Sequence, residues 1–140
     1  MAKESKYKAK KIIINGIEFD SKDEALYFLY LKQQVQAKLI ADFSLQPVYI
    51  LQPKFEKLGK KYQAITYTPD FLVYHLDGTV EAIDLKGFST QQGNMRRKMF
   101  DSVHRDIKLT WVSRSIKHGN SDGWIEYDEL QRARKKNKGS

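Results

Sequence analysis

The chain has 140 residues, no cysteine and a formal net charge of +8, with 41% hydrophobic and 30% charged residues. That length supports one domain with its own core, and the missing thiol excludes a zinc ribbon, a disulfide framework and a cysteine nucleophile. No apolar run approaches the roughly 20 residues of a membrane span, and the opening Met-Ala-Lys-Glu-Ser-Lys lacks the apolar stretch of a signal peptide. The expectation is a soluble intracellular protein with a polyanionic partner.

In chain order, residues 1–11 form a basic N-terminal tail, with Lys3, Lys6, Lys8, Lys10 and Lys11 against Glu4. Ile12 to Phe19 reads as a hairpin, because Asn15-Gly16 supplies two positive-φ residues for a tight turn. Ser21 then caps a helix expected to run to about Leu39, with Glu24 completing a capping-box pattern. Its apolar residues fall on two stripes. One holds Leu26, Leu29, Tyr30, Gln33 and Ala37, the other Glu24, Phe28, Leu31 and Val35.

Val48 to Leu51 and Tyr62 to Tyr67 read as strands, separated by a loop marked by Pro53 and the stretch Lys57 to Lys61. Phe71 to Tyr74 and Val80 to Leu85 read as a second hairpin around Asp77-Gly78. A polar loop is expected over Gly87 to Gly93, a helix over Met95 to His104, a buried strand at Leu109 to Val112 and a terminal helix from Tyr127 to Lys136. Residues 12–131 form one domain, and residues 132–140 a basic tail holding Arg132, Arg134, Lys135, Lys136 and Lys138. With both tails removed the body is nearly neutral, so the tails carry the charge that would hold a nucleic acid by counterion release. Solubilising ends would look the same. This order of elements predicts an α/β or α+β fold with a mixed sheet.

Three carboxylates stand where the pattern is otherwise apolar: Glu24 on the first helix, Asp70 after Pro69, and Asp84 near the end of a strand. A two-residue turn at Asp77-Gly78 would send Asp70 and Asp84 to opposite faces. A three-residue loop, Leu76-Asp77-Gly78, sets them directly opposite, with Gly78 at the position that needs a left-handed residue. Two carboxylates that close call for a divalent cation, and all-oxygen ligation suits Mg²⁺ or Mn²⁺. Lys86 falls on the same face as Asp84, because strand side chains alternate. Such a site stabilises charge that builds on a phosphoryl oxygen under attack by water. His75, His104 and His118 are scattered and form no ligand set.

Glu24, Pro69-Asp70 and Asp84-Leu85-Lys86 together resemble the PD-(D/E)xK nuclease superfamily. The runs Phe43-Ser44-Leu45-Gln46-Pro47, Tyr67-Thr68-Pro69-Asp70-Phe71 and Ile83-Asp84-Leu85-Lys86-Gly87 are closer still to its small phage and prophage proteins, catalogued as a domain of unknown function. The resemblance spans about residues 11 to 113. It implies an α/β fold with a restriction-endonuclease-like core, a mixed central β-sheet flanked by helices. It also implies Mg²⁺-dependent endonucleolytic cleavage of DNA in a bacterial or phage-infected cytoplasm, in recombination or replication-junction processing.

On that resemblance Asp70, Asp84 and the Leu85 backbone carbonyl hold the metal, Lys86 is the catalytic lysine, and Glu24 assists through a water or a second metal. Gln46 is hinted at as a functional residue. Many relatives act as homodimers. Arg96, Arg97 and Lys98 are expected to clamp the DNA backbone, with Arg114 a minor candidate. Tyr67, Trp111 and Trp124 are assigned to the core. Two other readings fit the same residues: an inactive DNA-binding or assembly module on the same fold, and a small basic RNA-binding protein.

Overall fold

A computed structural model describes residues 11–138; the basic segment of residues 1–10 lies outside the described residues. The chain forms a mixed five-stranded sheet with helices on both faces. In order along the chain come β1 (Ile12–Ile14), β2 (Ile17–Phe19), α1 (Lys22–Gln36), β3 (Asp42–Leu45) and β4 (Tyr49–Gln52). Then follow β5 (Phe55–Lys57), β6 (Lys60–Tyr62), β7 (Ile65–Tyr67), β8 (Phe71–Tyr74) and β9 (Val80–Leu85). The chain continues through α2 (Gln91–Val103), β10 (Lys108–Arg114), β11 (Trp124–Glu126) and α3 (Tyr127–Lys138). The main sheet runs β11-β10-β9-β8-β3. Only β9 and β10 within it are parallel, joined by the crossover helix α2.

Local chemistry sets several of these boundaries. Asn15 and Gly16 both take positive φ, as the two-residue turn of β1–β2 requires. The Ser21 hydroxyl accepts from the Glu24 amide at 3.1 Å and starts α1. The helix ends at Gln36, earlier than the expected Leu39. There Lys38 turns left-handed (φ 60°) and the amides of Lys38 and Leu39 return to the carbonyls of Val35 and Gln34.

Burial on α1 falls on Ala25, Tyr27, Phe28 and Leu31. The stripe of Glu24, Phe28, Leu31 and Val35 therefore faces the protein, whereas Leu29, Gln33 and Ala37 of the other are exposed. This face packs with Phe19, Phe71, Val73, Ile83, Val112 and Trp124 into the larger core. The opposite face of the sheet, from Ala82 and Leu72, packs against Phe100 of α2 and against Leu51 and Tyr67 of the β4–β7 ribbon.

Sequence reading and structure part company elsewhere too. Asp42–Leu45 is a strand at the sheet edge, paired with β8, although no strand was expected between the first helix and Val48. Thr90 caps α2 by accepting from the Gly93 amide, so that helix begins at Gln91 inside the expected polar loop. The stretch Lys57 to Lys61 is not a loop but the end of a second hairpin, β5–β6. Arg132 to Lys138 continue α3 as helix.

Candidate active site

The β8–β9 pairing positions the central carboxylates. Phe71 faces Ile83, Leu72 faces Ala82, Val73 faces Glu81 and Tyr74 faces Val80. One step further, Asp70 stands opposite Asp84, on the face shared by Leu72 and Ala82. The connection is the three-residue loop, closed by the His75 amide donating to the Thr79 carbonyl and the Gly78 amide to the His75 carbonyl, with Gly78 at φ 89°. A β-carbon there would force an L-residue into a backbone region it rarely adopts. On its other side Asp70 accepts the Gln46 amide through its main-chain oxygen, continuing the β3–β8 ladder.

Each carboxylate has specific partners. Asp70 Oδ2 accepts from the Leu85 amide at 2.8 Å. Asp84 is buried, accepts from the Tyr67 hydroxyl at 2.7 Å, and has Lys86 Nζ at 3.2 Å. Glu24 reaches the Ser21 hydroxyl, which donates to Oε2 at 3.2 Å. A cleft of about 60 Å³ opens between Glu24, Asp70 and Gln46, floored by Phe19 and Phe71. Leu85 forms part of the parallel ladder with Val112.

Electrostatics reflect this crowding. Burial pushes the Asp70 carboxyl up to about 9, with the Asp84 and Glu24 charges adding and the Leu85 amide opposing. Burial also raises Glu24, against the pull of the Ser21 hydroxyl. The Tyr67 phenol is raised by burial first and then by the adjacent Asp84 carboxylate. Among the described residues, no three His, Cys, Asp or Glu side chains stand ready-made around a cation position. One oxygen of each is already engaged: Glu24 Oε2 by Ser21, Asp70 Oδ2 by the Leu85 amide, and Asp84 Oδ2 by Tyr67 and Lys86. What the cluster offers a hard cation is an all-oxygen donor set from Asp70 and Asp84, with Glu24 beside Asp70.

Tyr67 and Trp111 belong to this site as well as to the core. Trp111 donates its Nε1–H to the Tyr67 hydroxyl at 3.1 Å, and that hydroxyl in turn donates a hydrogen bond to Asp84. Lys86 Nζ sits 5.0 Å from the Trp111 ring centroid and the Arg97 guanidinium 4.4 Å. The period-two alternation that turns Asp84 inward also brings Trp111 beside it, because the parallel register pairs those two residues. That register joins residues 27 apart through a helix, so no local pattern announces it.

The cations of α2 divide. Arg97 makes a bidentate pair with Asp128 of α3 and lies over Trp111, so it is committed within the protein rather than free for a phosphate. Arg96 is half-buried and Lys98 exposed. Arg114 is exposed and stacks 5.6 Å from the Trp124 ring centroid. Among the described residues no helix is long and apolar enough to cross a membrane. No curated protein matches the chain. Residues 4–120 match the model of a family described as a protein of unknown function, DUF1064, and the chain belongs to that family.

Proposed function

We propose that this protein is a divalent-metal-dependent deoxyribonuclease on a restriction-endonuclease-like core, hydrolysing phosphodiester bonds in the cytoplasm of a bacterial or phage-infected cell. The observation that carries the reading is the register of β8 on β9. It sets Asp70 opposite Asp84, which has Lys86 against it, while Glu24 of α1 lines a cleft together with Asp70. Fixing a buried and a half-buried carboxylate face to face costs a fold stability, and a cation is a partner that would recover it.

Asp70, Asp84 and the Leu85 carbonyl would hold Mg²⁺ or Mn²⁺, which supplies positive charge to the phosphoryl oxygens as they become more negative. Lys86, held between Asp84 and Trp111, hydrogen-bonds the attacking water and the phosphate oxygen beside it. Glu24 takes a second hydrogen bond from water at the opposite side of the cleft. Arg96 and Lys98 on α2, with the cations of α3, contact the DNA backbone.

The test is incubation of the purified protein with branched, flapped and linear DNA, and with RNA, in Mg²⁺ or in EDTA. Metal-dependent DNA cleavage, lost in Asp84→Asn and Lys86→Ala, supports the reading. DNA binding without cleavage, unchanged by either substitution, refutes it. That outcome would favour an inactive binding module, in which Lys86 simply neutralises Asp84 at a strand end.

A further inference from the structure

Between β4 and β7 the chain leaves the body of the protein and returns. Tyr49 pairs with Tyr67 and Ile50 with Thr66. The register then shifts by one at a bulge, after which Gln52 pairs with Ile65 and Phe55 with Tyr62. The two short ribbons are thus one hairpin, interrupted where Pro53 has no amide to donate. From Tyr67 to the tip at Leu58-Gly59 it measures roughly 25 Å, at ~3.3 Å per residue. Its root is the tyrosine that holds Asp84.

Every residue of β5 and β6 is exposed. Leu58, at the apex with φ 52°, is 96% exposed. Phe55 and Tyr62 stack face to face across the strands, centroids 4.5 Å apart. Alternation puts Lys57 and Lys60 on the same face as that stack, directly opposite one another. Like charges so placed repel in the free protein, and neither makes an ion pair with the other described residues. A two-stranded arm with cations along it and an aliphatic apex is complementary to a polyanion with stackable interior surfaces.

We propose that this arm is a DNA-engaging element. Lys57 and Lys60 grip backbone phosphates while Leu58 wedges between stacked base pairs and kinks the duplex roughly 25 Å from the carboxylate site, at the far end of the arm. A two-stranded ribbon and its wedge fit the grooves of B-form DNA. The deep, narrow major groove of an RNA duplex would exclude it. The choice of DNA as ligand rests on the nuclease reading. The arm itself rests on its exposure and charge.

The experiment is equilibrium binding of the full chain in EDTA to a 30-base-pair DNA duplex, and to the same sequence as RNA, across a salt series. A second DNA duplex carries an internal 2-aminopurine. Lys57→Gln/Lys60→Gln should bind DNA more weakly and lower the slope of log K against log salt by about 2, near 0.9 for each lost phosphate contact. Leu58→Ala should keep that slope but lose the rise in 2-aminopurine fluorescence that reports unstacking. Circular dichroism and Tm confirm that each variant is folded.

DNA binding by the wild type that neither change alters overturns the proposal, as does equal arm dependence on the RNA duplex. A wild type that binds neither duplex at low salt overturns it together with the nuclease reading. Arm-dependent DNA binding by a protein that cleaves nothing in Mg²⁺ supports the arm and refutes only the chemistry.

Discussion

Replacing Asp70 by asparagine should make the metal-free protein more stable while removing its response to magnesium. The substitution keeps an oxygen to accept from the Leu85 amide and removes the ionisable group beside Asp84. With Asp70 held up to about 9 against an ordinary 3.8, keeping its proton to pH 7 costs on the order of 4 kcal/mol, at about 1.4 kcal/mol per pH unit. Water reaching a site that is only partly closed reduces this to roughly 1–3 kcal/mol. For a chain of this size that is ~3–9 °C in Tm.

The pH dependence follows in sign. Folded protein holds a proton on Asp70 that the unfolded chain has already lost. Its contribution is therefore fully present below about pH 4 and is lost as pH rises towards 9. Thermal melts of both proteins in EDTA at pH 5, 7 and 8.5, then with Mg²⁺, check each part. The wild type should lose stability with pH in EDTA and regain about 2.7 kcal/mol at a magnesium concentration 100 times Kd. The variant should show a flatter profile and little magnesium effect. An Asp70→Asn protein less stable than wild type in EDTA, with an undiminished magnesium shift, would refute the electrostatic account of the site.

Tyr67→Phe removes the donor to Asp84 and the acceptor of Trp111 Nε1–H. It should cost about 1–3 kcal/mol in a denaturant titration and lower any cleavage rate more than it raises KM. Arg97→Lys keeps the charge but not the two-pronged contact with Asp128 or the stacking on Trp111. Stability should therefore fall nearly as far as in Arg97→Ala, by about 1–2 kcal/mol. Arg96→Ala, by contrast, should leave Tm within about 0.5 kcal/mol equivalent while weakening DNA retention in a filter-binding assay.

Where sequence and structure agree, the cause is short-range chemistry. Asn15-Gly16 and Gly78 each occupy a backbone position that few other residues tolerate, and Gly78 permits the three-residue loop that puts Asp70 opposite Asp84. Ser21 starts α1 through one hydrogen bond to the next turn. Hydrophobic alternation was silent where there is nothing to alternate against. β5 and β6 are exposed on both faces, so a lysine-rich hairpin reads as a loop. β3 is four residues at a sheet edge, too short for a period to register. Arg97 looked free because its partner Asp128 lies 31 residues away on another helix. Trp111 looked like core for a related reason: it is buried, and only the parallel β9–β10 register reveals that it is buried against Asp84.

A two-stranded arm also has two open edges, and each offers unpaired amides and carbonyls to any other chain. With Phe55, Leu58 and Tyr62 close together and partly bare, the arm of one molecule is a template for the arm of the next. The lysines between those side chains prevent this, since two such arms would have to bring like charges together. The same cations should therefore oppose pairing between arms of free molecules. Lys57→Gln/Lys60→Gln should accordingly associate more readily than the wild type at high protein concentration.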